Sequence, residues 1–378
     1  MRSSLKIERA ARERAAAPIF PLVGKRRNFA LSAILLIAPL VLCSGCKSPG
    51  GDRPIGTPVA IKAPLGLPPV PIPADNPPTV ETIALGRKLF YDTKLSRDNS
   101  LSCASCHNPQ FGFTDGQRVS TGVAGKTGVR NAPTVLNAAY LPRQFWDGRA
   151  ANLEEQAAGP MANSIEMDQP HKVSVAKLQA DPTYRAMFAK AFGPGSITMK
   201  QVEKSLASFE RTMISGNSAF DRYEFGNDKK ALTPAQIRGL AVFRDPNRGN
   251  CAACHTINDK YALFTDGKFH NIGEGIDGDG KFTDIGRYQE TKKDADKGAF
   301  LTPTLRDIAN TGPYMHDGSV KTLKEVVDFY AGHGNSNPYL DKEIQAIKLT
   351  GQDRVDLVEF MKALTCEMPA NVGPPGKE

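Results

Sequence analysis

The sequence predicts an all-α protein with long loops, built from two copies of one unit. Three observations carry that expectation. Helix-start signals recur with apolar residues at helical spacing behind them, no stretch alternates with period two, and Cys-x-x-Cys-His occurs twice. With 378 residues, 40% of them hydrophobic, the chain has material for a core in each of two domains.

Residues 1–46 read as an export signal. A basic stretch ends in Lys25-Arg26-Arg27, an apolar run follows from Phe29 to Leu42, and small residues precede Cys46. The run is too short to span a bilayer. Cys43-Ser44-Gly45-Cys46 resembles a lipobox with Cys43 where Leu is usual, so Cys46 is a candidate for lipidation, with plain signal cleavage as the alternative. The expected location is the periplasm, with a lipid anchor to the membrane if Cys46 is modified. This segment holds eight Lys/Arg and two Glu, so it supplies +6 of the formal charge of +8 and leaves +2 for the rest. With no basic stripe interleaved with aromatics in that rest, nucleic acid is not an expected partner.

Residues 47–78 are dense in Pro and Gly, including Pro68-Pro69-Val70-Pro71-Ile72-Pro73, and predict an extended tether. Two domains follow, at 79–230 and 231–370, with a tail at 371–378. In the first, Thr198 and Gln201 form a capping box that opens a helix with Val202, Leu206, Phe209 and Met213 on one face. In the second, Thr233 and Gln236 open a helix with Pro234 at its first position. Thr322 and Glu325 open another, with Leu323, Val326, Val327 and Tyr330 on its face and Gly332 at its end. Thr350 and Asp353 open the last.

The domains are repeats of one another. Each Cys-x-x-Cys-His motif is followed by Phe-Thr-Asp-Gly, at Phe113–Gly116 and Phe264–Gly267. Ala132-Pro133-Thr134-Val135-Leu136 answers Thr302-Pro303-Thr304-Leu305-Arg306. Without a gap the match continues to Trp146-Asp147-Gly148 against His316-Asp317-Gly318, and to Leu153 against Leu323.

In Cys103-Ala104-Ser105-Cys106-His107 and Cys251-Ala252-Ala253-Cys254-His255 the paired thiols add to the haem vinyl groups, and His107 and His255 are directed at iron as proximal ligands. Two such matches in a chain with seven Cys and six His are not coincidence. Cys43 and Cys46 belong to the signal, and Cys366 remains a thiol with no assigned role.

The sixth ligand decides what each iron does, because an open position admits peroxide or oxygen and a filled one restricts the haem to electron transfer. Aligning Trp146 with His316 places Pro160 opposite Tyr330. Proline has no atom that binds iron, whereas tyrosine has a phenolate oxygen, so the first haem is expected open and the second Tyr-ligated. Met315 as the ligand, or Tyr330 as an ordinary core residue, stay open as alternatives. His270, His316 and His333 are further candidates.

Taken together these residues resemble the bacterial dihaem cytochrome c peroxidases and the related MauG-like enzymes. The resemblance runs from about Pro64 to Leu364. It rests in order on Leu85-Gly86-Arg87-Lys88-Leu89-Phe90, the first haem motif, Arg130-Asn131-Ala132-Pro133-Thr134, Phe145-Trp146-Asp147-Gly148-Arg149, the second haem motif, Phe269-His270-Asn271 and Pro313-Tyr314-Met315-His316-Asp317-Gly318. It implies two cytochrome c-like domains, with hydrogen peroxide reacting at the N-terminal haem and electrons passing through the C-terminal one. Trp146 then stands between the haems, Glu166 is the distal acid/base carboxylate, and Gln156 and Pro160 share its pocket. The bland alternatives are a core-filling Trp and a solvated Glu. Asn131, with the carbonyls of Thr311 and Pro313, matches an inter-haem calcium site, a donor set that suits a hard cation.

Two departures from the classical peroxidases point to the MauG-like branch. Ser120 to Val129 contains no His, and Tyr330 replaces a Met. That branch implies long-range oxidation of a protein partner. The alternatives are a peroxidase that detoxifies hydrogen peroxide with a small redox protein as donor, and a non-enzymatic dihaem electron carrier, which needs both irons six-coordinate. The sequence leaves a homodimer open.

Overall fold

The computed structural model describes residues 51–376, so the export signal, the lipobox and Cys46 lie outside the described residues. Numbering only the helices of nine residues or more, they are α1 Val80–Tyr91, α2 Leu153–Ala162, α3 His171–Ala180, α4 Pro182–Phe192, α5 Met199–Glu210, α6 Pro234–Arg244, α7 Leu323–Ala331 and α8 Gly351–Lys362. The capping boxes at Thr198, Thr233, Thr322 and Thr350 open α5, α6, α7 and α8. α5 stops at Glu210, so Met213 lies past its end, yet it is buried in the same core. A two-residue antiparallel pair, Phe269–His270 with Phe300–Leu301, is the one named sheet among the described residues and is too short for alternation to announce it.

Each half is built on a close crossing of two helices, α1 on α5 and α6 on α8. A glycine sits at each crossing. A Cβ on Gly86 would fall 1.9 Å from the Ser205 carbonyl oxygen, and one on Gly239 would fall 2.0 Å from that of Asp356. Backbone replaces side chain at the contact, which lets flanking aromatics interlock. Phe90 packs edge-on against Phe113 and Phe209 in the first half, and in the second Phe243, Phe264 and Phe360 form the matching cluster. All six are buried and fill the two hydrophobic cores. The repeat also appears in the backbone: Phe113 and Phe264, Asn137 and Asp307, and Phe145 and Met315 all take positive φ at matching places.

The described part of the Pro-rich segment, residues 51–78, expected as an extended tether, is docked on the folded chain. Proline lacks an N–H, so the segment docks mainly through its carbonyls. Gly66 O accepts from Arg306 Nη2 (2.8 Å) and from the Ala262 amide (3.0 Å), while Pro68 O accepts from Tyr140 Oη (2.8 Å). Asn76, fully buried, donates to Glu154 Oε1 (2.7 Å) and to Lys204 O (3.0 Å). The segment thus straps both halves. The C-terminal tail crosses the other way: Val372 is buried in the first core, and Tyr91 Oη donates to its carbonyl at 2.7 Å.

Candidate active site

Among the described residues, each Cys-x-x-Cys-His motif stands on the wall of a large cavity. In the first, the short helix Cys103–Cys106 turns both thiols and His107 inward. His107 Nδ1 donates to the Phe113 carbonyl (3.1 Å), and His255 Nδ1 donates to the equivalent Phe264 carbonyl (2.9 Å). A carbonyl only accepts, so Nδ1 carries the proton and Nε2 keeps its lone pair for a metal. Burial lowers the pKa of both imidazoles and holds them neutral, the form that ligates iron. All four thiols are free. This donor set in an apolar cleft fits a covalent haem in each half.

The cavity walls differ. Around the first stand Gln156, Pro160 and Glu166. Pro160 lies inside α2, near its end, and presents no donor atom. Burial raises the Glu166 carboxyl above its ordinary value, opposed by the hydrogen bond that Asn163 Nδ2 gives Oε1 (2.5 Å) and by the positive charge of Arg149. Around the second stand Tyr330 and Met315. Burial pushes the Tyr330 phenol up, so it is neutral on its own and becomes a phenolate only beside a compensating cation.

The histidine candidates separate by geometry. His270 lines the second cavity, but both ring nitrogens are engaged, by Asp341 (2.5 Å) and Asp266 (2.9 Å). His316 lines it too, stacked on Phe300 at 3.7 Å between ring centroids, with Nε2 unpartnered. His333 is absent from both walls and bonds the Ile344 carbonyl at 3.2 Å.

Trp146 and Asn131 line both cavities. The indole Nε1 donates to the Asn131 carbonyl (2.9 Å), and the Trp146 carbonyl accepts from the Leu301 amide (2.8 Å). Asn131, Thr311 and Pro313 share the wall of the second cavity. The Asn131 side-chain nitrogen donates to Gln117 O (2.8 Å) and Arg118 O (3.3 Å), so its amide oxygen is the acceptor end of the side chain.

Three features escaped the sequence reading. Arg149 enters the first cavity with its guanidinium 3.5 Å above the Phe145 ring. Arg130 bridges Asp147 (2.5 Å) in one half and Asp284 (2.7 Å) in the other, while Arg287 donates to the Asp147 carbonyl (2.8 Å), so the Trp146 turn is clamped from both sides. Glu210 is buried on the wall of the first cavity. The first two sit in quoted motifs, where proximity of opposite charges was the available signal.

Residues 80–230 match the family model described as di-haem cytochrome c peroxidase, and residues 236–365 match the one for cytochrome c. The methylamine utilization protein MauG of Methylophilus methylotrophus is 39% identical, over 78% of this chain and 85% of that protein. A cytochrome-c peroxidase, IdrP1 of Denitromonas iodatirespirans, is 35% identical over 89% and 93%. Among solved structures, a MauG-like protein associated with microbial copper homeostasis superposes with a TM-score of 0.72 at 33% identity, covering 82% of this chain and 96% of that one.

Proposed function

The chain belongs to the di-haem cytochrome c peroxidase family, which includes the MauG proteins, and is a dihaem oxidoreductase of that kind; on that premise we propose that it activates hydrogen peroxide at the first haem and oxidises a protein partner in a MauG-like reaction. The observation that carries this reading is the asymmetry of matched positions, Pro160 on one cavity wall and Tyr330 on the other.

When attached, the haems supply iron and a conjugated macrocycle through which electrons enter and leave. The chain's own residues do the rest. Pro160, on the wall of the first cavity, would supply no ligand to the first haem, which would keep room for peroxide. Glu166 takes the proton from the near peroxide oxygen and returns it to the leaving oxygen, an exchange suited to a carboxyl raised by burial. Asn163 holds Glu166 in place by its 2.5 Å hydrogen bond. Trp146, clamped on a wall shared by both cavities, relays an oxidising equivalent between the halves in this proposal. Tyr330, on the wall of the second cavity, would help to hold the second haem through an anionic oxygen, which would favour higher oxidation states of its iron.

Calcium on Asn131 Oδ1 and the Thr311 and Pro313 carbonyls belongs to the same proposal, as does export to the periplasm with a lipid anchor at Cys46. The branch is tested by resonance Raman and EPR on the resting protein and on Tyr330→Phe. One high-spin ferric haem and one phenolate-ligated haem are expected, the second signature vanishing in Tyr330→Phe. A resting protein with no high-spin component overturns the reading. Rapid steady-state peroxide turnover with a reduced small c-type cytochrome assigns the detoxifying peroxidase role instead.

A further inference from the structure

Glu210 ends α5 and is only 5% exposed, and its Oε2 has no hydrogen-bond partner. It stands on the wall of the first haem cavity one turn beyond Leu206. The matched helix crossings identify its counterpart: Phe209 on α5 answers Phe360 on α8, so Leu206 and Glu210 answer Leu357 and Met361. Leu357 and Met361 line the second cavity in the same way. One copy of the repeat therefore has a thioether in its haem wall where the other has a carboxyl.

An unpaired carboxyl in such a wall is costly unless it is neutral or faces positive charge. Burial, the leading cause, pushes Glu210 up to about 8, with Arg211 opposing and Glu154 adding to the shift. The charged groups around it are few and largely committed. Arg211 is bonded twice to Glu154 of α2 (2.8 and 2.9 Å), and Lys204 of α5 is bonded to Asp75 of the strap. On the Cys-x-x-Cys-His side the neighbour is Cys103, whose thiol Glu210 itself helps to raise. Once Cys103 is a thioether it is uncharged, and the variable charge left near Glu210 is that of the haem.

We propose that Glu210 is a redox-linked proton site of the first haem. On reduction the haem gains one electron from a one-electron donor, and the Glu210 carboxylate gains one proton from solvent, forming its O–H bond. On oxidation both leave, and the carboxylate offsets the extra positive charge of the ferric centre. The inference rests on haem attachment at Cys103 and Cys106 and not on the choice of substrate. Glu210 is a tuning residue, with no contact to peroxide required.

The test is redox potentiometry of the holoprotein across pH, without peroxide. In the wild type the potential of the first haem is expected to fall as pH rises through neutral to mildly alkaline values. In Glu210→Gln that slope is lost, and at alkaline pH the potential lies above the wild type, because the neutral amide mimics the protonated acid. Glu210→Met, which installs the residue of the second repeat, is expected to behave the same way, with the second haem unchanged in both. A slope that survives both substitutions, or equal shifts at both haems, overturns the proposal. If neither variant takes up haem, redox-difference infrared spectra of the wild type decide: no protonated-carboxyl band gained on reduction overturns it.

Discussion

In its proposed role as general base, Glu166 would set a pH dependence. A general base must be ionised to accept the peroxide proton, and burial raises this carboxyl above the ordinary glutamate range. Activity is therefore expected to fall on acidification through that raised value, earlier than for a solvated glutamate. Glu166→Gln is expected to lower peroxide turnover about 100- to 10,000-fold and to remove the acid limb, read from kcat against pH. A variant that keeps both rate and limb would remove Glu166 from the chemistry. At this scale the sequence was readable wherever chemistry fixes the residue type. Cys103, Cys106 and His107 announce themselves, and Pro160 and Tyr330 follow by alignment. Glu210 was not readable, because it recurs at helical spacing behind Leu206 on an otherwise apolar face, and only its burial and missing partner mark it out.

Among the elements, the helix crossings make the sharper case. Alanine is the better helix former than glycine by about 1 kcal/mol, so propensity alone favours Gly86→Ala. The added Cβ would fall 1.9 Å from the Ser205 carbonyl oxygen, a backbone atom that cannot swing aside. Overpacking of this kind costs about 1–3 kcal/mol and wins, so Gly86→Ala is expected to lower stability by that amount in denaturant unfolding. Gly351, the first residue of α8, has nothing within 4 Å of an added Cβ. Gly351→Ala is expected to be neutral or slightly stabilising, and an equal loss from both would show that packing at the crossing is not the cause. Capping boxes made the starts of α5 to α8 legible, since the cap residues act within one turn. The pairing of α1 with α5 and of α6 with α8 was not legible. Those helices meet across long sequence separations, and the spacing between their copies differs from that of the Trp146 and His316 loops.

For the whole molecule, the two halves are tied by chain segments that run against sequence order. The strap reaches the second half through Gly66, whose carbonyl accepts from Arg306, and Arg306 is also paired with Asp221 in a fully buried ion pair. In the repeat Arg306 occupies the place of Leu136, so the duplicated unit diverged where one copy had to hold the strap. Composition pointed to an extended segment, but the docking of its described residues, 51–78, depends on donors in distant segments, which composition does not encode. The tail reverses the direction: Arg87 on α1 donates to the carbonyls of Gly373 (2.7 Å) and Pro374 (3.0 Å), and Val372 is buried against the first core. Removing residues 369–378 strips these contacts from α1 while leaving α6 and α8 intact, although the deleted residues follow directly on the second half. Hydrogen exchange of the truncated holoprotein is expected to speed up at the α1 amides and stay unchanged at those of α6. Faster exchange confined to α8, the nearest helix in sequence, would mean that the tail belongs energetically to the half that precedes it and that the crossing carries no stability.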